Sequence, residues 1–197
     1  MSGLLRSALV DALAAPLYIV TGVLLVAGAA KIVQPSATAT ALRTLGIPSP
    51  MHATRLLGFG EVALTVAAIL IGAPLLWAGV ALSYGAFTIF ILWALRDGGV
   101  VGSCGCFGRE DTPPTPGHAA FNAAAFAIAG LATVDPVRLS NFDGSLVEGA
   151  LFAALVGLGI TLSISALTAL PRTLALAKGT ALPVAPTFSM TNRRGEQ

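Results

Sequence analysis

The sequence predicts an all-α integral membrane protein, a helical bundle with a four-helix core and a fifth transmembrane helix after it. Three observations lead there. Hydrophobic residues make up 55% of the 197-residue chain and charged residues only 10%, against about a quarter charged in a typical soluble domain. The mean hydropathy is +0.85, and the apolar residues come in long runs rather than in an amphipathic rhythm. The net charge of +2 is too small and too dispersed to recruit a polyanion. A soluble enzyme, a nucleic-acid binder and a disordered scaffold are excluded together, and the expected surroundings are membrane lipid.

A membrane helix needs about 20 apolar residues, because each rises about 1.5 Å through about 30 Å of hydrocarbon. Charge-poor stretches of this kind lie at 12–30, 56–72, 74–95, 119–134 and 149–170. The first contains Ala27-Gly28-Ala29, which looks like a small-residue cleavage site. A retained helix accounts better for the span that follows so closely. Between them, residues 34–53 carry Pro35, Pro48 and Pro50 around a short helix-like stretch. Gly72 and Pro74 force a tight turn between the second and third spans. In the third, Trp77 and Trp93 stand sixteen residues apart, roughly 24 Å of helix, which suits two rings at opposite interfaces. Residues 96–117 hold both cysteines and the loop-forming run Thr112-Pro113-Pro114-Thr115-Pro116-Gly117. The fourth span is short and alanine-rich, the weakest as a full crossing, though small residues let membrane helices approach closely. The domain reading is therefore a membrane core at 12–134, an additional helix at 149–170 and a polar tail at 171–197.

Five spans sort the charges onto two sides. Arg6 and Arg138 fall on one; Lys31, Arg43, Arg55, Arg96, Arg109, Arg172, Lys178, Arg193 and Arg194 fall on the other. The positive-inside rule, taken alone, puts the second side and its cysteine loop in the cytoplasm.

The chain has two cysteines, Cys104 and Cys106, in Gly102-Ser103-Cys104-Gly105-Cys106-Phe107-Gly108. In extended backbone such residues lie roughly 6 to 7 Å apart at Cα, near the upper edge of disulfide geometry. Gly105 supplies the freedom a turn between them requires. So small a ring is strained, and strained, exposed disulfides are the labile or catalytic ones. It adds almost no loop-closure stabilisation, so a structural bridge is poorly motivated. Redox exchange by Cys104 and Cys106 is the preferred reading. The alternatives are incidental loop thiols or a metal site of Cys104, Cys106, His52 and His118, whose donors suit zinc or copper(I).

His118 and Asn122 are four apart and share a helix face. Glu61 lies inside the second span, where an ionisable group is expensive and functional by default. Lys31, at the matching end of the first span, is its expected partner. Glu61 and His118 are thus candidates for a proton relay beside the thiols, against a structural Lys31–Glu61 pair.

These residues together resemble a family. Gly28-Ala29-Ala30-Lys31, Leu45-Gly46-Ile47-Pro48, Gly58-Phe59-Gly60-Glu61 and Cys104-Gly105-Cys106-Phe107-Gly108 are similar to the MauE methylamine-utilisation membrane proteins, related to DoxX. The resemblance covers about residues 12–134, and the Cys-Gly-Cys-Phe-Gly element is its most specific part. It implies a multi-pass helical bundle in a bacterial-type cytoplasmic membrane, associated with maturation of the disulfide-rich methylamine dehydrogenase small subunit. The tail from Leu182 to Gly195 is similar to the opening of a TlpA- or MauD-like thioredoxin domain, with Thr187 where those usually carry an acid. Family analogy therefore places the cysteine loop on the extracytoplasmic face, where disulfides persist, against the charge count.

The expected function is thiol-disulfide or electron exchange with a thioredoxin-like partner of the MauD or TlpA type. A non-enzymatic assembly or carrier component is the alternative, and a transport bundle lined by Glu61, Tyr84 and Asn122 is a third. No cofactor is evident; a quinone is compatible with the reading but not specified by it.

Overall fold

The computed structural model describes residues 2–44, 46–96, 114–136 and 145–169, with side chains from residue 12 onward. Six helices follow in order: α1 (Ser2–Val33), α2 (Pro35–Thr44), α3 (Met51–Ile71), α4 (Pro74–Arg96), α5 (Pro116–Leu131) and α6 (Leu146–Thr168). Among the described residues there is no strand, and the all-α expectation holds. Among the described residues, four stretches are long and apolar enough to cross a membrane: Ala12–Val33, Met51–Ile71, Pro74–Arg96 and Leu146–Thr168.

The helix ends follow local chemistry. Gly72 closes α3 in the left-handed region (φ 64°), its N–H donating to the Ala68 carbonyl, and Pro74 starts α4 at once, where its missing N–H costs nothing. Thr115 caps α5 by accepting from the His118 N–H, with Pro116 following. Ser145 and Glu148 form a reciprocal capping box at the start of α6.

These caps explain the differences from the sequence reading. Glu148 and Arg55 marked expected boundaries because charges interrupt an apolar run. Yet Glu148 is part of the cap of α6, and Arg55 is an exposed residue of α3 whose long stem can carry its charge to the interface. α1 begins at Ser2 rather than at residue 12, and the helix-like stretch at 34–53 is α2.

α1 packs antiparallel to α3, with Gly28 beside Glu61 and Gly58 beside Lys31. It runs parallel to α6, with Tyr18 against Phe152 and Ile19 against Gly159. The chain must therefore change sides between α4 and α6, and α5, packed along α4, makes that passage. Its 16 residues reach about 24 Å, short of a full hydrocarbon core. One end of the bundle thus gathers the C-terminal ends of α1, α4 and α6 with the N-terminal ends of α3 and α5.

The core between these helices contains Leu17, Leu24, Trp77, Val80 and Tyr84, set against the small residues Ala68, Ala125, Ala129 and Ala132. Trp77 is fully buried there, so it is a packing residue and not an interfacial one. The alanines of α5 leave the space its ring fills. Trp93 is 44% exposed and keeps the place expected of an interfacial aromatic. On α6, Leu151, Leu155, Leu158 and Leu162 are exposed along one face, the face such a helix turns to lipid.

Candidate functional site: a buried ion pair beside an apolar cleft

Two short motifs, one on α1 and one on α3, build the centre. Each places a glycine one turn before a charged residue: Gly28 before Lys31, and Gly58 before Glu61. Residues three apart share a helix face, so each glycine opens the surface across which its charge must reach. A Cβ on Gly58 would stand 2.7 Å from the Gly28 carbonyl oxygen, and one on Gly28 would stand 3.0 Å from the Gly58 carbonyl oxygen. The two backbones are therefore in direct contact. Lys31 Nζ lies 2.8 Å from Glu61 Oε2, with both residues buried.

A buried ion pair is costly to desolvate and persists only with good geometry and further contacts. Lys31 has a second favourable contact, since its Nζ stands 4.9 Å from the centre of the Phe87 ring on α4. The Ala27 carbonyl is a longer neighbour at 3.5 Å. Glu61 is less completely satisfied: among the described residues nothing donates to its Oε1, which is itself buried.

This pair forms part of the wall of an apolar cleft of about 630 Å³ between α2, α3 and α4. Phe87, Phe90 and Trp93 line it from α4, with Thr38 and Leu42 from α2 and Leu57 from α3. Leu57, Leu82, Ile89 and Trp93 are also exposed on the outer surface. The cleft consequently opens sideways, onto the face that lipid covers.

His118 belongs to a different space. It is buried at the start of α5, its Nδ1 2.7 Å from Thr115 Oγ1, while its Nε2 has no partner among the described residues. With Tyr84, Asn122 and Leu167 it borders a cavity of about 20 Å³, space for a single water. The Tyr84 hydroxyl donates across to the Val20 carbonyl of α1 at 2.5 Å. Phe87 borders both spaces. The structure thus brings His118, Asn122 and Tyr84 together, and Lys31 and Glu61 together, with Phe87 between the groups. The three residues considered for a transport path are divided in the same way.

Cys104 and Cys106 lie outside the described residues, in the segment between Arg96 and Pro114. That segment joins the C-terminal end of α4 to the N-terminal end of α5, the end nearest His118, whereas Glu61 lies at the middle of α3. His52 is exposed near the start of α3, whereas His118 is buried. Among the described residues no group of three or more histidine, cysteine or acidic residues could hold a metal ion. The tail from 182 to 195 also lies outside the described residues.

Phe87 is the residue the sequence reading passed over. A signal was present, since Tyr84, Phe87, Phe90 and Trp93 recur every third position of α4. That spacing winds slowly around a helix, and the aromatics run from the buried core at Tyr84 to the exposed surface at Trp93. Thr115, which holds the His118 ring, was likewise visible as a cap only once the start of α5 was known.

No curated protein and no solved structure matches the chain. The family described as methylamine utilisation protein MauE matches residues 9–135, well over half of the sequence and the whole of the region that contains the ion pair, the cleft and both cysteines. The chain is a multi-pass membrane protein that belongs to the MauE family.

Proposed function

We propose that this MauE-family protein exchanges disulfides with a thioredoxin-like partner of the MauD or TlpA type, through Cys104 and Cys106, on the extracytoplasmic side of the cytoplasmic membrane. The observation that carries the reading is the position of the chain's two cysteines. They stand one residue apart, in the segment that joins the C-terminal end of α4 to the N-terminal end of α5, where His118 is buried.

Exchange proceeds by attack of a thiolate on a disulfide sulfur, through a mixed disulfide that the second thiol resolves. Oxidation of the dithiol releases protons, and the bundle offers two buried acceptors for them, one at the start of α5 and one at the middle of α3. His118 Nε2 and Glu61 Oε1 both lack a partner among the described residues. Arg96 and Arg109 favour the thiolate by their charge, while Glu110 and Asp111 oppose them. Association with methylamine dehydrogenase maturation supplies a disulfide-rich client for such exchange.

The test is trapping. Cys104→Ser or Cys106→Ser leaves one thiol with no resolving neighbour, so a mixed disulfide with the partner should accumulate in membranes and disappear on reduction. Absence of any thiol-reversible adduct from both variants, with function retained in both, contradicts the proposal.

A further inference from the structure

We infer that the cleft beside Lys31, Glu61 and Phe87 is a binding site for a membrane quinone, entered sideways from the bilayer. Its volume of about 630 Å³ falls within the range of sites that enclose small molecules, about 300–1,000 Å³. It runs along α4 from Leu82 to Trp93, a length of roughly 16 Å, which fits a head with a tail better than a compact solute. Its mouth is formed by exposed Leu57, Leu82 and Ile89, so the ligand must arrive dissolved in lipid.

The polar groups in the wall select the head. A lysine ammonium has three N–H donors; at Lys31 one is committed to Glu61 at 2.8 Å, a second reaches the Ala27 carbonyl at 3.5 Å, and the ammonium also stands over Phe87. Glu61 Oε1 is buried and takes no donor among the described residues. The site therefore offers one strong acceptor, Glu61 Oε1, beside an ammonium whose donors are engaged, in a pair that is neutral overall. A neutral head that can donate answers it, as the hydroxyl of a quinol does; the oxidised quinone, which only accepts, is held by the apolar walls. A phospholipid phosphate does not answer it, because its charge would need a cation that Glu61 has already neutralised. Phe87, Phe90 and Trp93 supply flat apolar walls for a ring.

The consequence for redox chemistry, unlike the binding itself, rests on the thiol-exchange reading. A quinone would be the oxidant that regenerates the disulfide. The two S–H bonds of Cys104 and Cys106 break and one S–S bond forms; the two electrons and two protons pass to the quinone, whose carbonyl oxygens become hydroxyls. One of these hydroxyls can then donate to Glu61 Oε1.

Trp93 reports on the cleft directly. In a full-length Trp77→Phe background, Trp93 is the single tryptophan, and decylubiquinone, a quencher of indole fluorescence, is titrated into protein held in lipid nanodiscs. Saturable quenching is expected. Decylubiquinol should compete with the quencher, and Glu61→Gln should weaken that competition about tenfold, the equivalent of one charged hydrogen bond. Because Glu61→Gln also disturbs the ion pair, Ala86→Phe provides a second test: it fills the cleft without touching Lys31 or Glu61 and should abolish saturation. Quenching that rises linearly in the parent, or identical curves with and without Ala86→Phe, would show partition into lipid and overturn the site. So would quenching by a brominated phospholipid that decylubiquinone fails to relieve, which would make the cleft a lipid groove. The titration is repeated in a Cys104→Ser, Cys106→Ser background, where binding should persist; this separates failure of the quinone site from failure of the thiol chemistry.

Discussion

Gly58 of α3 stands so close to Gly28 of α1 that a Cβ on Gly58 would lie 2.7 Å from the Gly28 carbonyl oxygen. This contact draws the two helices together at the one level where Lys31 and Glu61 must meet. Helices in lipid gain little from burying apolar surface against each other, and small residues at the crossing are what allow tight packing. The ion pair and the glycine contact are thus one device: the glycines set the spacing, and the charges fix the register.

It follows that the two glycines before Glu61 differ in importance. Gly60 has open space where its Cβ would be. Gly58→Ala should cost about 1–3 kcal/mol by forcing the helices apart, and should lower the temperature at which the solubilised protein aggregates. Gly60→Ala should change it little. Equal effects of the two substitutions on thermal stability would show that the close contact is not what holds α1 to α3.

The pair itself should behave asymmetrically. Removing one partner of a buried ion pair costs about 3–5 kcal/mol, whereas replacing both by apolar residues is often neutral. Glu61→Gln should therefore reduce the amount of protein in the membrane. Lys31→Met combined with Glu61→Leu should restore it. Turnover of the cysteine disulfide per molecule should stay slow in the double variant, because the acceptor at Oε1 is gone. Recovery of both abundance and turnover would make Glu61 a structural residue alone.

Much of this was legible from composition and spacing, for definite physical reasons. Lipid imposes a length and a polarity on each helix, so four of the five expected spans appear as long membrane helices with ends shifted by a few residues. A lone carboxylate at depth demands a partner, so Lys31 could be paired with Glu61 before the helices were placed. What one dimension does not carry is which faces meet. Trp77 and Trp93 look alike in the sequence, yet one fills the core beside the alanines of α5 and the other stays at the surface. His118 and Glu61 read as neighbours at one end of the bundle, yet Phe87 stands between their cavities.

The central claim is that Cys104 and Cys106 cycle between dithiol and disulfide outside the cytoplasm, and thiol labelling of intact cells tests it most directly. A membrane-impermeant maleimide is applied before and after reduction, and the labelled cysteines are identified by mass spectrometry. The account predicts weak labelling of Cys104 and Cys106 before reduction and strong labelling after it, without permeabilising the cells. Labelling that reduction does not change would mean permanently free thiols, and labelling that appears only in permeabilised cells would put the loop on the cytoplasmic side; either result contradicts the account.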